Sequence, residues 1–461
     1  MHALPPIHDE FRDCEFPDLR LLDRVVRIAR QLEVDPKASL PESFRNPSQL
    51  EGTYRFFGNE RIDLGTVVAG HVSNTVRRVD VAKRALAIHD TTSFVFDGER
   101  DGLGIVDRSQ QGFYAHACLA VSADGVRQPL GLLALDTWMR TKKKGKRTTE
   151  ARRNEKELES DRWLEQSLAV EELVSNSTVL IHVEDREGDI YESLATRAQR
   201  GMHFIVRASS NRVVKLEGGG TQNVLESART LPLRSKREVD LSERHNPFAH
   251  LPKTSHGNRQ ARTTQVEIRS GELTLRRPQR ALRSSDLPKE LRLNVVHVGE
   301  VDAPPGEKAV EWLLFTTEPV DSATDAEQVV DFYRTRWLIE EYFKALKTGC
   351  KYEDKRLESG PALLNALGVF AIVAWRLLVL RFIDRTADDS PAESVATDAE
   401  IAVLVAKKRL KPNATAREFT TALARYGGHL PQNGPPGLLI LWRALRALQQ
   451  VAEGWSLAQE M

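Results

Sequence analysis

The chain has 461 residues, 41% hydrophobic and 28% charged, with 66 Lys+Arg against 65 Asp+Glu. That length suggests about three domains, and the composition excludes a disordered, collagenous or disulfide-scaffold protein. A net charge of +1 does not announce a nucleic-acid partner, so the local distribution of charge has to decide.

The first 65 or so residues read as helical. Leu22, Val25, Val26, Ile28, Ala29 and Leu32 recur at helical spacing between Asp18 and Val34, with Pro36 as a stop. Arg20, Arg24, Arg27 and Arg30 line another face, which fits a solvated face and a DNA-facing helix equally. From Ala85 the pattern turns to β. Ala85–His89 is an apolar run ending at Asp90, and Ala115–Val121 and Pro129–Trp138 flank an Asp124-Gly125 hairpin signal. A helix is expected through Trp163–Leu173, a strand over Ser177–Val183 that stops before Asp185, a helix over Ile190–Gln199, and a strand over Phe204–Val206 ending at Arg207. Residues 208–319 look β-rich. A single helix is expected from near Asp325 to Thr348, capped by Gly349. Everything after Pro361 reads as helical, and its most apolar stretch, Ala362–Ala374, is too short for a membrane span and reads as a buried helix.

Two segments are strongly basic: Arg140–Arg153 holds eight Lys/Arg against one acid, and Lys253–Arg283 holds eight against two. Each is a solvated loop or, in a near-neutral protein, a phosphate-facing patch that releases counterions on binding DNA. Three cysteines without paired spacing (Cys14, Cys118, Cys350) favour a reducing compartment and argue against a zinc cluster. The start, Met1-His-Ala-Leu-Pro-Pro, lacks the pattern of a secretion signal. The expectation is a soluble, intracellular protein, cytoplasmic and with no membrane partner.

Asp90 and Asp185 stand where strand runs end, as turn residues or as metal-binding carboxylates. A third element is the helix carrying Tyr333, Arg336, Glu340, Lys344 and Lys347. At about 100° per residue these share one arc of roughly 80°. The arc is a solvent face laced with i,i+4 ion pairs or a stripe facing a specific partner; Trp337, Ile339, Phe343 and Leu346 on other arcs make the helix look mostly buried. Acidic strand ends plus a helical acid fit two divalent ions about 3.5–4 Å apart, clamping the oxygens of a phosphodiester in an in-line displacement. Hard oxygen ligands select Mg²⁺ or Mn²⁺.

Ile88-His-Asp90-Thr-Thr, Glu184-Asp185-Arg-Glu-Gly-Asp189-Ile and Tyr333-x2-Arg336-x3-Glu340-x6-Lys347 resemble the three catalytic blocks of DDE transposases, and more narrowly the insertion-sequence-four family with its Tyr-Arg-Glu-Lys signature. The resemblance extends to Glu51-Gly-Thr-Tyr-Arg55-Phe, Phe204-Ile-Val-Arg207 and Glu311-Trp312-Leu-Leu-Phe-Thr-Thr-Glu318. It implies an α/β fold: a ribonuclease-H-like catalytic core over residues 71–360 with a β-rich insertion at about 208–319. A helical DNA-end-recognition domain (1–70) and a helical C-terminal dimerisation domain (361–461) flank it. Asp90, Asp185 and Glu340 would be the catalytic metal ligands, for two Mg²⁺ with Mn²⁺ as substitute. Tyr333, Arg336 and Lys347, and with them Lys344 and Arg207, would hold the transposon-end phosphates. Trp312 would stack on a base flipped from the end, worth roughly 1–3 kcal/mol; from the residues alone it reads as a core tryptophan in a strand. The implied function is cut-and-paste transposition. Metal-activated water nicks the element's end, the freed 3′-OH forms a hairpin, a second water opens it, and the 3′-OH joins target DNA in a homodimeric synaptic complex. The alternatives are a catalytically silent, transposase-derived DNA-binding regulator and a metal-dependent nuclease without strand transfer.

Overall fold

A computed structural model describes residues 4–106, 110–140, 159–243, 258–279, 287–430, 432 and 436–460. All of the first basic run except Arg140, and the two ends of the second, lie outside them. The chain groups into two compact units, one of residues 1–82, 91–143 and 338–461, the other of residues 83–90 and 144–337.

The first unit begins with a 3₁₀ turn (Ile7–Phe11) and four helices, α1 (Leu19–Leu32), α2 (Leu40–Ser43), α3 (Pro47–Phe57) and α4 (Leu64–Ala82). Asp18 caps α1 by accepting from the Arg20 amide at 2.9 Å. Val25, Ile28, Ala29 and Leu32 are buried while Arg20, Arg24, Arg27 and Arg30 are exposed, as the helical spacing requires. The same unit holds residues 91–96 of β1 (Arg84–Phe96), β2 (Gly104–Val106) and an antiparallel hairpin of β3 (Gln110–Ser122) and β4 (Pro129–Trp138). Helix α4 crosses β4 at Gly131, where an added Cβ would stand 2.0 Å from the Thr75 hydroxyl and φ is +145°. Cys14, Cys118 and Cys350 are all buried free thiols.

In the carboxyl-terminal part of this unit, a helix of 27 residues (Gly360–Thr386) is long and apolar enough on composition to cross a membrane, yet 94% of its apolar window is buried within the protein. It is a core helix, longer than the Ala362–Ala374 run. Its polar residues are satisfied internally. Asn365 donates to the Phe57 carbonyl at 2.8 Å, and Arg376 donates to Glu33 at 3.1 Å.

A second buried polar cluster joins the 3₁₀ turn to α4. Glu10 accepts from His71 Nδ1 at 2.5 Å and from Arg78 at 2.9 Å, while the Leu132 amide donates to His71 Nε2 at 3.0 Å. Because Nε2 accepts, the ring carries its proton on Nδ1 and is neutral. Burial, which opposes ionisation, is outweighed by the hydrogen bonds from His71 and Arg78 and by the Arg78 charge, and the Glu10 carboxyl is held below its ordinary value. A depressed folded value means stability that is present above the unfolded value and lost as pH falls through the folded one. The wild-type chain should therefore lose stability through this group as pH falls below about 4.5. Glu10→Gln should flatten that part of a urea-midpoint-against-pH profile, and an unchanged slope would refute the assignment.

The second unit is built on a mixed sheet. Residues 84–88 of β1 run parallel to β5 (Val179–Glu184), and β5 runs parallel to β6 (His203–Arg207). Beyond β6 the ladder turns antiparallel through β12 (Glu311–Thr316), β11 (Glu290–Glu300) and β10 (Arg262–Arg276), which also pairs with β9 (Leu233–Leu241) and β7 (Val213–Lys215). The β-rich stretch after Arg207 thus continues the parallel sheet, because its last strand, β12, adds to the edge of β6. Helices α5 (Asp161–Glu171), α6 (Tyr191–Gln199) and α7 (Val224–Arg229) belong to this unit. Tyr191, Leu194, Phe204, Val206, Val224, Leu275, Val295 and Phe315 form one apolar cluster across α6, α7 and the strands. Within the described part of the second basic run, Arg262 pairs with Glu300 and Glu307, and Arg269 with Glu267. Those cations neutralise strand carboxylates within the unit.

Candidate active site

Asp90 does not end its strand. β1 continues for six residues past it, because Thr91-Thr-Ser-Phe-Val-Phe96 is rich in β-branched and aromatic side chains, and Phe94 and Phe96 are buried. Asp185 does stand at a strand end. It follows β5 directly and caps a 3₁₀ turn (Arg186–Gly188) by accepting from the Glu187 amide at 2.8 Å. The parallel ladder sets Ile88 beside Val183. Two residues beyond that pair come Asp90, still on β1, and Asp185, just past the end of β5, so the register carries both toward the same end of the β1–β5 pair.

The residue before each aspartate is turned the other way by the pleat and is buried. His89 shares hydrogen bonds with Gln166 at 3.0 Å and with His182 at 2.9 Å, and His182 reaches Glu171 at 3.0 Å. Glu184 accepts from Arg197 at 2.5 Å, with both side chains wholly buried. Sequence reasoning assigned neither residue a role. Each anchors the strand directly behind an aspartate, through partners too remote in sequence to be paired by any local pattern.

The expected single helix is two. α8 (Ala323–Thr335) ends at Arg336, whose amide bonds back to Tyr333 in a tightened turn, and α9 (Trp337–Lys344) follows. The next turn, Ala345–Gly349, is π-helical, with the Cys350 amide bonded to Ala345 at 2.8 Å. Arg336 keeps right-handed helical angles (φ −51°, ψ −29°), so the segment departs from one regular α-helix by a tightened turn at Arg336 and a wider one from Ala345. Trp337, expected to be buried, is 61% exposed, whereas Ile339, Phe343 and Leu346 are buried.

Of the signature residues, Tyr333 and Arg336 lie in the unit that holds both aspartates, while Glu340, Lys344 and Lys347 lie in the other. Arg336 pairs with Asp90 at 3.0 Å, and both side chains are largely buried. Tyr333 is buried, which raises the pKa of its hydroxyl against the opposing pull of Arg207, a hydrogen-bond partner, and of Arg336. Arg186 is lowered by partial desolvation and by the neighbouring Arg207 cation. In the first unit, Glu340 is half-buried in the first turn of α9 and Lys344 is exposed. Lys347 donates to the Ser93 carbonyl at 2.5 Å and lies 5.3 Å from the Phe94 ring centre.

Trp312, on β12, is half-buried and not a closed core residue. It meets Tyr333 edge-on at 5.3 Å, and the Arg207 guanidinium lies 5.7 Å from its ring. It lines a cavity of about 330 Å³ together with Arg186, Arg207, the Ser209–Asn211 wall, Arg259 and Lys308. Glu311 is the one acid on that lining. Burial opposes its ionisation, but hydrogen bonds from His297 and Arg229 hold its pKa below the ordinary value, and the Arg229 cation already engages it. The cavity is therefore positive in sign, with one aromatic wall. Arg186, Arg259 and Lys308 were not singled out from the sequence, because they reach the cavity from three separate segments.

The two aspartates are hard oxygen donors of the kind that Mg²⁺ and Mn²⁺ take. Among the described residues, no group of three or more His, Cys, Asp or Glu stands together as a metal cluster. The donor pair fits a divalent ion in kind.

Residues 7–62 match the family described as Transposase DNA-binding, and residues 188–375 match the Transposase DDE domain. The second match includes Tyr333, Arg336 and Glu340 and begins just past Asp185. One solved structure, the cryo-EM structure of the piggyBac transposase synaptic complex with hairpin DNA, is similar at a TM-score of 0.37 and 9% identity, covering 95% of this chain and 76% of that one.

Proposed function

We propose that this chain, which carries the DNA-binding and DDE domains of the DDE transposase family, is an active cut-and-paste DNA transposase of the insertion-sequence-four type, related to the transposase of transposon Tn-five. The observation that carries the reading is Asp90 and Asp185, each two residues past the paired Ile88 and Val183 of the parallel strands, with Arg336 on Asp90 and a cationic, aromatic-walled cavity in the same unit.

Asp90 and Asp185, with Glu340 as third ligand, would hold Mg²⁺ or Mn²⁺. Such ions, when bound, polarise the phosphodiester and stabilise charge on the attacking and leaving oxygens. The chain's own groups do the positioning. Arg336 orients the Asp90 carboxylate. Arg207 and Arg186 attract the phosphates of the element's end, and Tyr333, held by Arg207, fixes the edge of Trp312. Trp312 offers its face to a base drawn out of the duplex, which frees the backbone to bend into a hairpin. The same in-line displacement serves in turn for water on the first strand, the freed 3′-OH on the opposite strand, water on the hairpin, and the 3′-OH on target DNA. In this reading the core is ribonuclease-H-like, the exposed arginines of α1 face the terminal DNA, and the C-terminal helices pair two copies in a synaptic complex.

A labelled duplex of the element's terminus, incubated with the full chain and Mg²⁺ and run on a denaturing gel, tests this. A nick followed by a hairpin and, with target DNA, joined products are expected. Nicks without hairpins would indicate a nuclease, and binding without cleavage in Mg²⁺ and in Mn²⁺ would indicate a silent regulator. Trp312→Ala should keep nicking within about threefold and slow hairpin formation by roughly 10-fold or more, the worth of one stacked base. Equal loss of both steps would remove Trp312 from the base-holding role.

A further inference from the structure

Asp189 has no place in the chemistry above, yet it is among the most completely engaged carboxylates in the second unit. Its side chain is fully buried. Oδ2 accepts from the Ser209 amide at 2.7 Å, the Ser209 hydroxyl at 3.0 Å and the Ser210 amide at 3.1 Å. Oδ1 accepts from Arg212 Nε at 2.9 Å and Nη2 at 2.6 Å, and the Asp189 carbonyl accepts from the same Nη2 at 2.7 Å. One carboxylate thus holds three residues, Ser209, Ser210 and Arg212, of a segment that has no strand ladder of its own between Arg207 and Val213.

The two ends of this clamp matter. Asp189 closes the short turn that begins at Asp185, with Arg186 between them. Ser209, Ser210 and Asn211 form the wall of the cationic cavity that also holds Arg186, Arg207 and Trp312. Charge-assisted bonds to two backbone amides and a bidentate arginine are the strong, directional kind. They transmit position, so that a shift of the wall relative to the Asp185 turn stretches several bonds at once.

We propose that Asp189 is a positioning residue that fixes the distance between the Asp185 turn and the cavity receiving the displaced nucleotide. It touches neither the DNA nor the reacting atoms, and it acts through Ser209–Asn211 and Arg212. This rests on the functional reading above, in which Trp312 and its cavity serve hairpin formation more than the first nick. Loosening the wall therefore changes the ratio of the two steps and not their common rate.

The test uses single-turnover nicking of an intact terminal duplex and hairpin formation from a pre-nicked one, with the full chain and Mg²⁺. Asp189→Asn keeps the shape and removes the charge that holds Arg212. The hairpin-to-nick rate ratio is expected to fall at least 10-fold. Ser209→Ala, which deletes one hydroxyl bond and leaves the ion pair, should shift the ratio in the same direction by a smaller factor and covers the case that Asp189→Asn folds poorly. In a Trp312→Ala background, Asp189→Asn should add little, because the cavity it serves has already lost its stacking face. A merely structural residue would lower both rates together, in proportion to the folded fraction. An unchanged ratio in both variants, with the wild type cleaving, overturns this inference alone. No cleavage by the wild type overturns it together with the reading on which it rests.

Discussion

Asp185→Ala and Asp90→Ala are each expected to lose end-nicking by about 10³-fold or more in single-turnover assays, while binding the terminal duplex as tightly as the wild type. The separation follows from where the residues sit. The DNA-binding match ends at residue 62, and both aspartates lie in the other unit, on β1 and just after β5. The two losses have different internal causes. Alanine at 185 removes a carboxylate and the cap on the Arg186–Gly188 turn, since the Glu187 amide loses its acceptor. Alanine at 90 removes a carboxylate and the ion pair that it makes with the mostly buried Arg336. A single-turnover rate within tenfold of wild type for either alanine variant would remove that aspartate from the reaction. Parallel loss of nicking and of duplex binding would mean that the variant had unfolded, which circular dichroism of the same sample would register.

The legible parts of the sequence were those set by local pattern. The α1 stripe, the Asp124-Gly125 hairpin and the stop of β5 before Asp185 all follow from spacing and turn residues within a dozen positions, and the protein forms them there. The extent of β1 was missed because Asp90 looks like a stop, while the pull of Thr91–Phe96 into the sheet comes from burial of Phe94 and Phe96, which is tertiary. The break at Arg336 was invisible for a related reason. No Pro or Gly marks it, and the tightened turn accompanies an ion pair with Asp90, 246 residues away. The candidate site divides in the same manner. Asp90 and Asp185 were singled out as acids at the ends of strand runs and Tyr333 and Arg336 by their spacing on a helix, whereas Asp189's clamp and the Arg259 and Lys308 lining depend on which loops fold against which strands.

The largest stability effect should come from a residue with no chemistry at all. Arg197→Met is expected to destabilise the folded chain by about 3–5 kcal/mol, lowering its melting temperature by roughly 10 °C. Arg197 and Glu184 are both fully buried, and a single guanidinium nitrogen, Nη2, serves Glu184 at 2.5 Å, the Ser167 hydroxyl at 2.9 Å and the Trp163 carbonyl at 3.0 Å. The other Glu184 oxygen is unpartnered among the described residues and lies against Gly188, where an added Cβ would come within 2.0 Å of it. Methionine fills the volume but strands the carboxylate, and the cost of an uncompensated buried charge dominates. Replacing both partners removes that cost, so Arg197→Met with Glu184→Leu should regain most of the lost stability, as apolar pairs substituted for buried ion pairs often do. The double variant then isolates a second quantity. Glu184 directly precedes Asp185, and Gly188 closes the turn that Asp185 caps, so the pair holds the backbone on which that carboxylate is carried. If the ion pair serves stability alone, the restored double variant will nick at the wild-type rate. If its geometry also aims Asp185, nicking per folded molecule will stay at least several-fold low after stability has returned, which is the result expected here.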